Sequence, residues 1–205
     1  QGKYNPENFD LEYRGLISAS DALKQSLNVP AVMVLQRLGV DTLYQFLKQA
    51  GLTTFQRSSN QYGLSLTLGN CEVRLDELAQ AYCMLASLGE FRTLKIIQND
   101  SNPPKKRLIS QGTCLKIYEM LEQPLPSELS QQVIQSLDRN TRVCWKTGTS
   151  QGYRDAWTFV FNQHYIVGVW LGNNYASRSQ LLVGRRSALP LAAKMITLYA
   201  CIDKR

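Results

Sequence analysis

Hydrophobic and polar positions divide the chain into a helix-patterned first part and a strand-patterned second part. Residues 1–17 mix polar and aromatic positions without a period and read as an arm. Ser18 and Asp21 form an S-x-x-D capping pattern that predicts a helix from Ser18. Val29 precedes Pro30 and is pushed out of the helical region, which predicts that this helix ends by Asn28. Pro30 suits the first turn of a second helix with Gly39 as its stop. Asp41 is the expected cap of a third, with Leu43, Phe46, Leu47 and Ala50 on one face and Gly51 at its end. Residues 52–74 are Gly-containing and read as a loop. A strong 3.6-residue period then predicts a helix from Leu75 to Leu88, with Leu78, Ala79, Tyr82, Leu85 and Ala86 on one side.

Residues 92–107 are irregular, basic and Pro-containing. Ser110 and Ser127 are expected to cap helices reaching about Leu121 and Leu137. Beyond them the pattern changes to short runs rich in β-branched and aromatic residues, at Arg142–Ser150, Ala156–Phe161 and Tyr165–Leu171. The break at Asn162-Gln163-His164 is short enough for an antiparallel hairpin. Ser187–Ile202 closes the chain as an amphipathic helix. Helices, then antiparallel strands, then one helix predict an α+β fold with an antiparallel sheet flanked by helices, against a doubly wound parallel one.

The chain has 205 residues, 44% apolar and 19% charged, enough for one sizeable core. No apolar run reaches the roughly 18 residues of a spanning helix, and no signal-peptide pattern opens the chain. The net charge is +7, which suits an anionic partner. The basic residues are scattered, however, the densest runs being Lys105-Lys106-Arg107 and Arg185-Arg186, and no basic stripe with interleaved aromatics appears, so no nucleic-acid partner is expected. The cysteines are Cys71, Cys83, Cys114, Cys144 and Cys201, widely spaced and without a CxxC, and the sole histidine is His164. No metal site or cofactor is expected. Cys83, Cys114 and Cys201 read as small core residues, one disulfide stays open, and His164 is expected in the hairpin turn.

Three sequences stand out as candidate chemistry: Ser26-Leu27-Asn28 at a helix end, Gly63 to Gly69 in the long loop, and Lys146-Thr147-Gly148-Thr149-Ser150 on the first strand. Alternation along an extended chain puts Thr147 and Thr149 on one face and Lys146 and Gly148 on the other. Two hydroxyls side by side with an ammonium nearby suit a carboxylate. Gly148 is expected to admit a close backbone or helix. An open strand edge can take an extended peptide as an added strand.

These sequences belong to an ordered set. S-x-N is followed by Gly63-Leu64-Ser65-Leu66-Thr67-Leu68-Gly69, then by Glu72 to Tyr82 as E-V-x-L-x-E-L-A-x-A-Y, then by K-T-G-T-S. The set resembles the transpeptidase domain of penicillin-binding proteins. Ser26 to Val32, Tyr153-Arg154-Asp155-Ala156-Trp157 and Val167-Gly168-Val169-Trp170 are similar to the bifunctional class A enzymes. The resemblance implies a five-stranded antiparallel sheet flanked by helices. It also implies a peptidoglycan DD-transpeptidase, with stem peptides and β-lactams as ligands. Its implied catalytic residues are Ser26, relaying a proton, and Lys146, polarising that hydroxyl. Asn28 is expected to hold the donor peptide's backbone. Thr147 and Thr149 are expected to bind its terminal carboxylate, with Gly148 and Ser150 completing the substrate-binding strand. Tyr153-Arg154-Asp155 is expected to shape the substrate end of the cleft.

The sequence departs from the family at one point. The family's nucleophile is the serine of an S-x-x-K segment, and no serine here has a lysine three residues on. Thr113 and Lys116 match the spacing with Thr in place of Ser. In the family the nucleophile precedes S-x-N on a central helix, after two strands. The resemblance therefore implies that residues 1–205 form a partial transpeptidase domain: an arm over 1–17, a mainly helical region over 18–137, and strands with the last helix over 138–205. The parent protein is expected to be a membrane-anchored enzyme facing the periplasm, with a glycosyltransferase domain. The upstream part of that protein is the implied partner of this chain. Alone, the chain is expected to be inactive and prone to self-association through its open sheet edge. The alternative is a non-catalytic cell-wall peptide-binding or scaffold module.

Overall fold

A computed structural model describes residues 5–97, 102–126, 143–175 and 177–202. The chain divides into two compact units, Gln1–Leu78 and Ala79–Arg205. The first unit is helical. Helix α1 (Ala19–Lys24) starts as its capping pattern predicts, with Ser18 Oγ accepting the Asp21 N–H at 3.0 Å. It ends at Lys24, within the expected bound, and Asn28 is the first residue of α2 (Asn28–Leu38). Pro30 lies in the first turn, where a missing N–H leaves no gap in the helix ladder. Val29 is nonetheless helical, and Asn8 Oδ1 accepts its N–H at 3.2 Å, a substitute for a side-chain cap on α2. Gly39, at φ +91°, ends α2 and turns straight into α3 (Val40–Gln49). Asp41 therefore sits in the first turn of α3 instead of capping it, still at the favourable end of the helix dipole.

Residues 52–74 are not all loop. Helix α4 (Ser59–Tyr62) runs into a 3-10 helix over Gly63–Leu68. The overlooked signal is Ser58-x-x-Gln61, a capping box in which Gln61 Oε1 accepts the Ser58 N–H at 3.0 Å. Leu35, Tyr62 and Leu66 form the core of this unit, with Leu43, Tyr44, Leu47 and Phe55 packed around them. Tyr62 is also its polar hub: its hydroxyl donates to Glu72 and accepts the N–H groups of Gln56 and Arg57 at 3.1 and 3.3 Å.

Helix α5 (Leu75–Ala86) follows as its period predicts. In the second unit a two-residue pairing joins β1 (Glu90–Phe91) to β2 (Lys106–Arg107), and α6 (Gln111–Leu121) is capped by Ser110. The expected Ser127–Leu137 helix lies outside the described residues. Strands β3 (Cys144–Thr149), β4 (Ala156–Phe161) and β5 (Ile166–Leu171) form an antiparallel sheet in that order. His164 lies in the β4–β5 turn, where Asn162 Oδ1 accepts the N–H groups of His164 and Tyr165 at 2.8 and 2.7 Å. Helix α7 (Ala188–Ile202) packs on one sheet face, burying Ala188, Leu189, Ala192, Ala193 and Ile196 against Trp145, Ala156, Val160, Val167 and Val169. On the opposite face, Tyr82 of α5 stacks on Phe159, and Tyr118 of α6 meets Phe161 edge-on. The α+β architecture is that expected, and the described residues contribute three strands to its main sheet. None of the described helices is long and apolar enough to cross a membrane.

Candidate active site

In the first unit the structure brings Ser26 and Asn28 together at the α1–α2 junction. Helix α1 ends in a Schellman motif: the Ser26 N–H bonds the Leu23 carbonyl at 3.1 Å and the Leu27 N–H bonds that of Ala22 at 2.9 Å. The motif requires left-handed backbone at Ser26, whose φ is +56°. Glycine is the usual occupant, because a Cβ there costs about 1–2 kcal/mol. Ser26 is exposed, and the turn places its side chain at the start of α2. Asn28 Nδ2 donates to the Glu7 carbonyl at 2.8 Å. The period-free arm thus orients Asn28 and caps Val29, through Glu7 and the buried Asn8. A polar arm gives no sequence signal for this.

In the second unit Lys146 through Ser150 lie together on β3 and its turn. The Ser150 N–H bonds the Asp155 carbonyl at 3.0 Å, directing Ser150 toward β4. Antiparallel alternation then makes Gly148–Trp157 and Lys146–Phe159 the bonded pairs in the observed register. Thr147 and Thr149 fall at the other positions, so their N–H and C=O groups point out of the sheet edge. Near its start this edge is covered: the Gln123 amide donates to the Trp145 carbonyl at 3.4 Å, and Glu122 bridges Cys144. Among the described residues no strand pairs with the edge at Thr147–Thr149.

Lys146 is largely buried, and burial pushes its amine down to about 8 from an ordinary 10.5. Its Nζ donates to the Thr147 carbonyl at 2.7 Å. Thr147 and Thr149 take the α7 face of the sheet with Trp145, opposite Lys146 and Gly148, as the alternation predicts. Thr149 Oγ1 accepts the Gly184 N–H at 3.1 Å, so it keeps its own proton to donate. Ser150 organises the hairpin turn, its Oγ accepting the N–H groups of Arg154 and Asp155 at 3.2 and 2.8 Å. At the same end of the sheet Trp170 Nε1 donates to Asp155 at 3.0 Å, beside Trp157.

The close approach expected of Gly148 is real but is demanded by a different glycine. A Cβ on Gly148 would meet Trp157 Cβ at an ordinary 3.5 Å, whereas one on Gly184 would stand 2.5 Å from the Gly148 carbonyl oxygen. Gly184 gave no motif in the sequence. Thr113, which matches the nucleophile spacing, is engaged in the α6 cap, where its Oγ1 lies 2.8 Å from Ser110 Oγ, which also accepts its N–H at 3.1 Å.

The sequence and the fold are similar to those of known proteins. A sequence model of the penicillin binding protein transpeptidase domain fits residues 2–184. The chain is 36% identical over 193 residues to penicillin-binding protein 1C of Escherichia coli K12, covering 93% of this chain and 24% of that protein. It is 29% identical over 187 residues to penicillin-binding protein 1A of Clostridium botulinum strain Hall, covering 85% and 22%. It thus spans about a quarter of the length of these relatives. Penicillin-binding protein 1A of Haemophilus influenzae superposes with a TM-score of 0.75 at 20% identity, covering 97% of this chain and 36% of that one. The apo transpeptidase domain of Burkholderia pseudomallei penicillin-binding protein 3 gives 0.67 at 17% identity, covering 90% and 64%. The structural likeness establishes the fold, and the match over residues 2–184 establishes the lineage: this chain belongs to the penicillin-binding protein transpeptidase domain family.

Proposed function

We propose that the chain supplies the S-x-N and K-T-G-T-S parts of a peptidoglycan DD-transpeptidase that cross-links stem peptides ending in D-Ala-D-Ala. The observation that carries this reading is the edge of β3. Thr147 and Thr149 direct N–H and C=O groups out of the sheet, and Thr149 keeps a hydroxyl proton to donate. An extended peptide can pair with this edge as an added strand, and its terminal carboxylate suits the Thr147 and Thr149 hydroxyls. The Thr149 N–H is then half of an oxyanion hole for the scissile carbonyl. Gly148 keeps the strand slim, and Ser150 supports the site by closing the turn.

The nucleophile in this reading is the serine of an S-x-x-K segment outside this chain. It attacks the carbonyl of the penultimate D-Ala and forms an acyl-enzyme, and the terminal D-Ala departs with a proton. Ser26 relays that proton. Lys146, its amine pushed down to about 8 by burial, polarises the relay hydroxyl at neutral pH. Asn28 holds the donor peptide's backbone. The amine of a second stem peptide then takes the acyl group. β-Lactams enter as mimics of the terminal dipeptide. The longer enzyme faces the periplasm from the inner membrane and carries a glycosyltransferase domain.

One observation favours a second reading, a module that binds cell-wall peptide without turnover: no serine in the sequence has a lysine three residues on. Intact mass after incubation with excess benzylpenicillin separates the readings. The chain alone is expected to gain no adduct, and a protein extended through an S-x-x-K segment is expected to gain one. An adduct on the chain alone would overturn the placement of the nucleophile, and peptide mapping at Thr113 and Ser20 would locate its replacement. Silence in the extended protein would favour the binding module.

A further inference from the structure

We infer that Gly184, in the loop between β5 and α7, is a positioning residue that aims the Thr149 hydroxyl at the substrate carboxylate; this rests on the carboxylate reading of Thr149 above. Two bonds tie Gly184 to the sheet and a third ties it to α7. Its N–H donates to Thr149 Oγ1 at 3.1 Å. Its carbonyl accepts the buried Thr158 hydroxyl at 3.2 Å and the Leu189 N–H at 2.9 Å. The loop comes so near that a Cβ at position 184 would stand 2.5 Å from the Gly148 carbonyl oxygen and 2.7 Å from that of Trp157. Those oxygens belong to residues paired across β3 and β4, so they cannot swing aside as the end of a flexible side chain can. A side chain at 184 must therefore lift the loop, and the N–H leaves Thr149.

The consequence lies in the direction of one proton. A threonine hydroxyl can donate or accept. With a backbone N–H fixed on its lone pair, Thr149 sends its O–H away from the loop, where an anion can receive it. The same loop carries positive charge to this end of the strand. Arg178 Nε lies 3.2 Å from where a Cβ on Gly152, in the β3–β4 turn, would stand. Gly184 thus sets the hydroxyl's aim while Arg178 favours an anionic ligand.

The test uses the full chain and two probes, an N-acetylated peptide ending in D-Ala-D-Ala and the same peptide ending in a carboxamide. The wild type is expected to bind the acid about tenfold more tightly, the usual scale of a charge-assisted hydrogen bond. G184A is expected to lose that preference while its affinity for the amide stays within about twofold. T149V should lose it equally, T149S should keep it, and G184A with T149V should lose no more than either alone. Equal weakening of both peptides by G184A, or a preserved acid preference, would overturn the positioning role and leave the carboxylate reading standing. A wild type without acid preference, or a T149V that retains it, would overturn the carboxylate reading and the inference with it. Should G184A fail to fold, the Gly184 amide resonance decides. A shift in T149V that T149S restores is the expected result, and an unmoved resonance in T149V would overturn the contact.

Discussion

Two helices of the first unit end in the same hydrogen-bonded turn with different residues at its strained position. Helix α3 closes with the Gly51 N–H on the Lys48 carbonyl and the Leu52 N–H on that of Leu47, both at 3.1 Å, and Gly51 has φ +92°. Helix α1 closes identically, with Ser26 at φ +56° in the place of the glycine. A third example shows when a non-glycine is forced. Leu88, at φ +53°, ends α5 because the glycine is needed one position later, where a Cβ on Gly89 would stand 2.0 Å from the Ile109 carbonyl oxygen. At α1 the next residue is Leu27, whose side chain is buried, so no such displacement explains Ser26. The difference teaches that α1 accepts strain where α3 avoids it, and that what α1 gains is a hydroxyl.

The largest effect tests whether the second unit makes the same trade with charge. Lys146 titrates at about 8 in the folded chain against an ordinary 10.5. Between those values the unfolded chain holds a proton that the folded chain has lost, so stability rises with pH across that window. Below about pH 8 the penalty of burying the ammonium is fully present. Lys146→Met removes it but also loses the Nζ bond to the Thr147 carbonyl. The variant is expected to be about 2 kcal/mol more stable than the wild type at pH 7, the excess vanishing above pH 10.5. Urea unfolding across that pH range checks this, and a pH-independent difference would remove burial as the cause. Next in size, Gly51→Ala should destabilise by about 1.5 kcal/mol, because the ordinary α3 cap then carries the strain that α1 already carries. Urea midpoints at unchanged slope measure it; a neutral variant would mean that left-handed backbone is cheap in this unit.

What the sequence revealed follows from how local each signal is. Gly51 was legible as a stop and Ser18 as a cap because both act through their own backbone neighbourhood. Strand alternation placed Lys146, Thr147 and Thr149 on their correct faces for the same reason. Ser26 was legible as a motif member, but its strain was hidden: a serine near a helix end reads as ordinary until the dihedral is known. Asn8 and Gly184 were illegible because each acts on a residue 21 or 35 positions away, Asn8 on Val29 and Gly184 on Thr149. No spacing rule connects a featureless arm to a later cap, or a loop glycine to a strand hydroxyl.

The smallest effect is the sharpest test of the opening comparison. Ser26→Gly relieves left-handed strain of about 1–2 kcal/mol, while the freer unfolded chain takes back about 0.4–1 kcal/mol. A net gain of about 0.5 kcal/mol is expected. Ser26→Ala keeps the Cβ, and with it the strain, and removes only the oxygen, so it should gain nothing. The two variants lack the same hydroxyl and differ only by the Cβ, so their difference reads the strain less the cost of the glycine's freer unfolded chain. In the longer enzyme both should lose transpeptidation alike, since Ser26 enters the proposed relay through its oxygen. Equal stability of the two variants would mean that the α1 turn stores no more strain than the about 0.4–1 kcal/mol the freer unfolded chain takes back. Unequal activity would mean that Ser26 works through its backbone conformation and not through its hydroxyl.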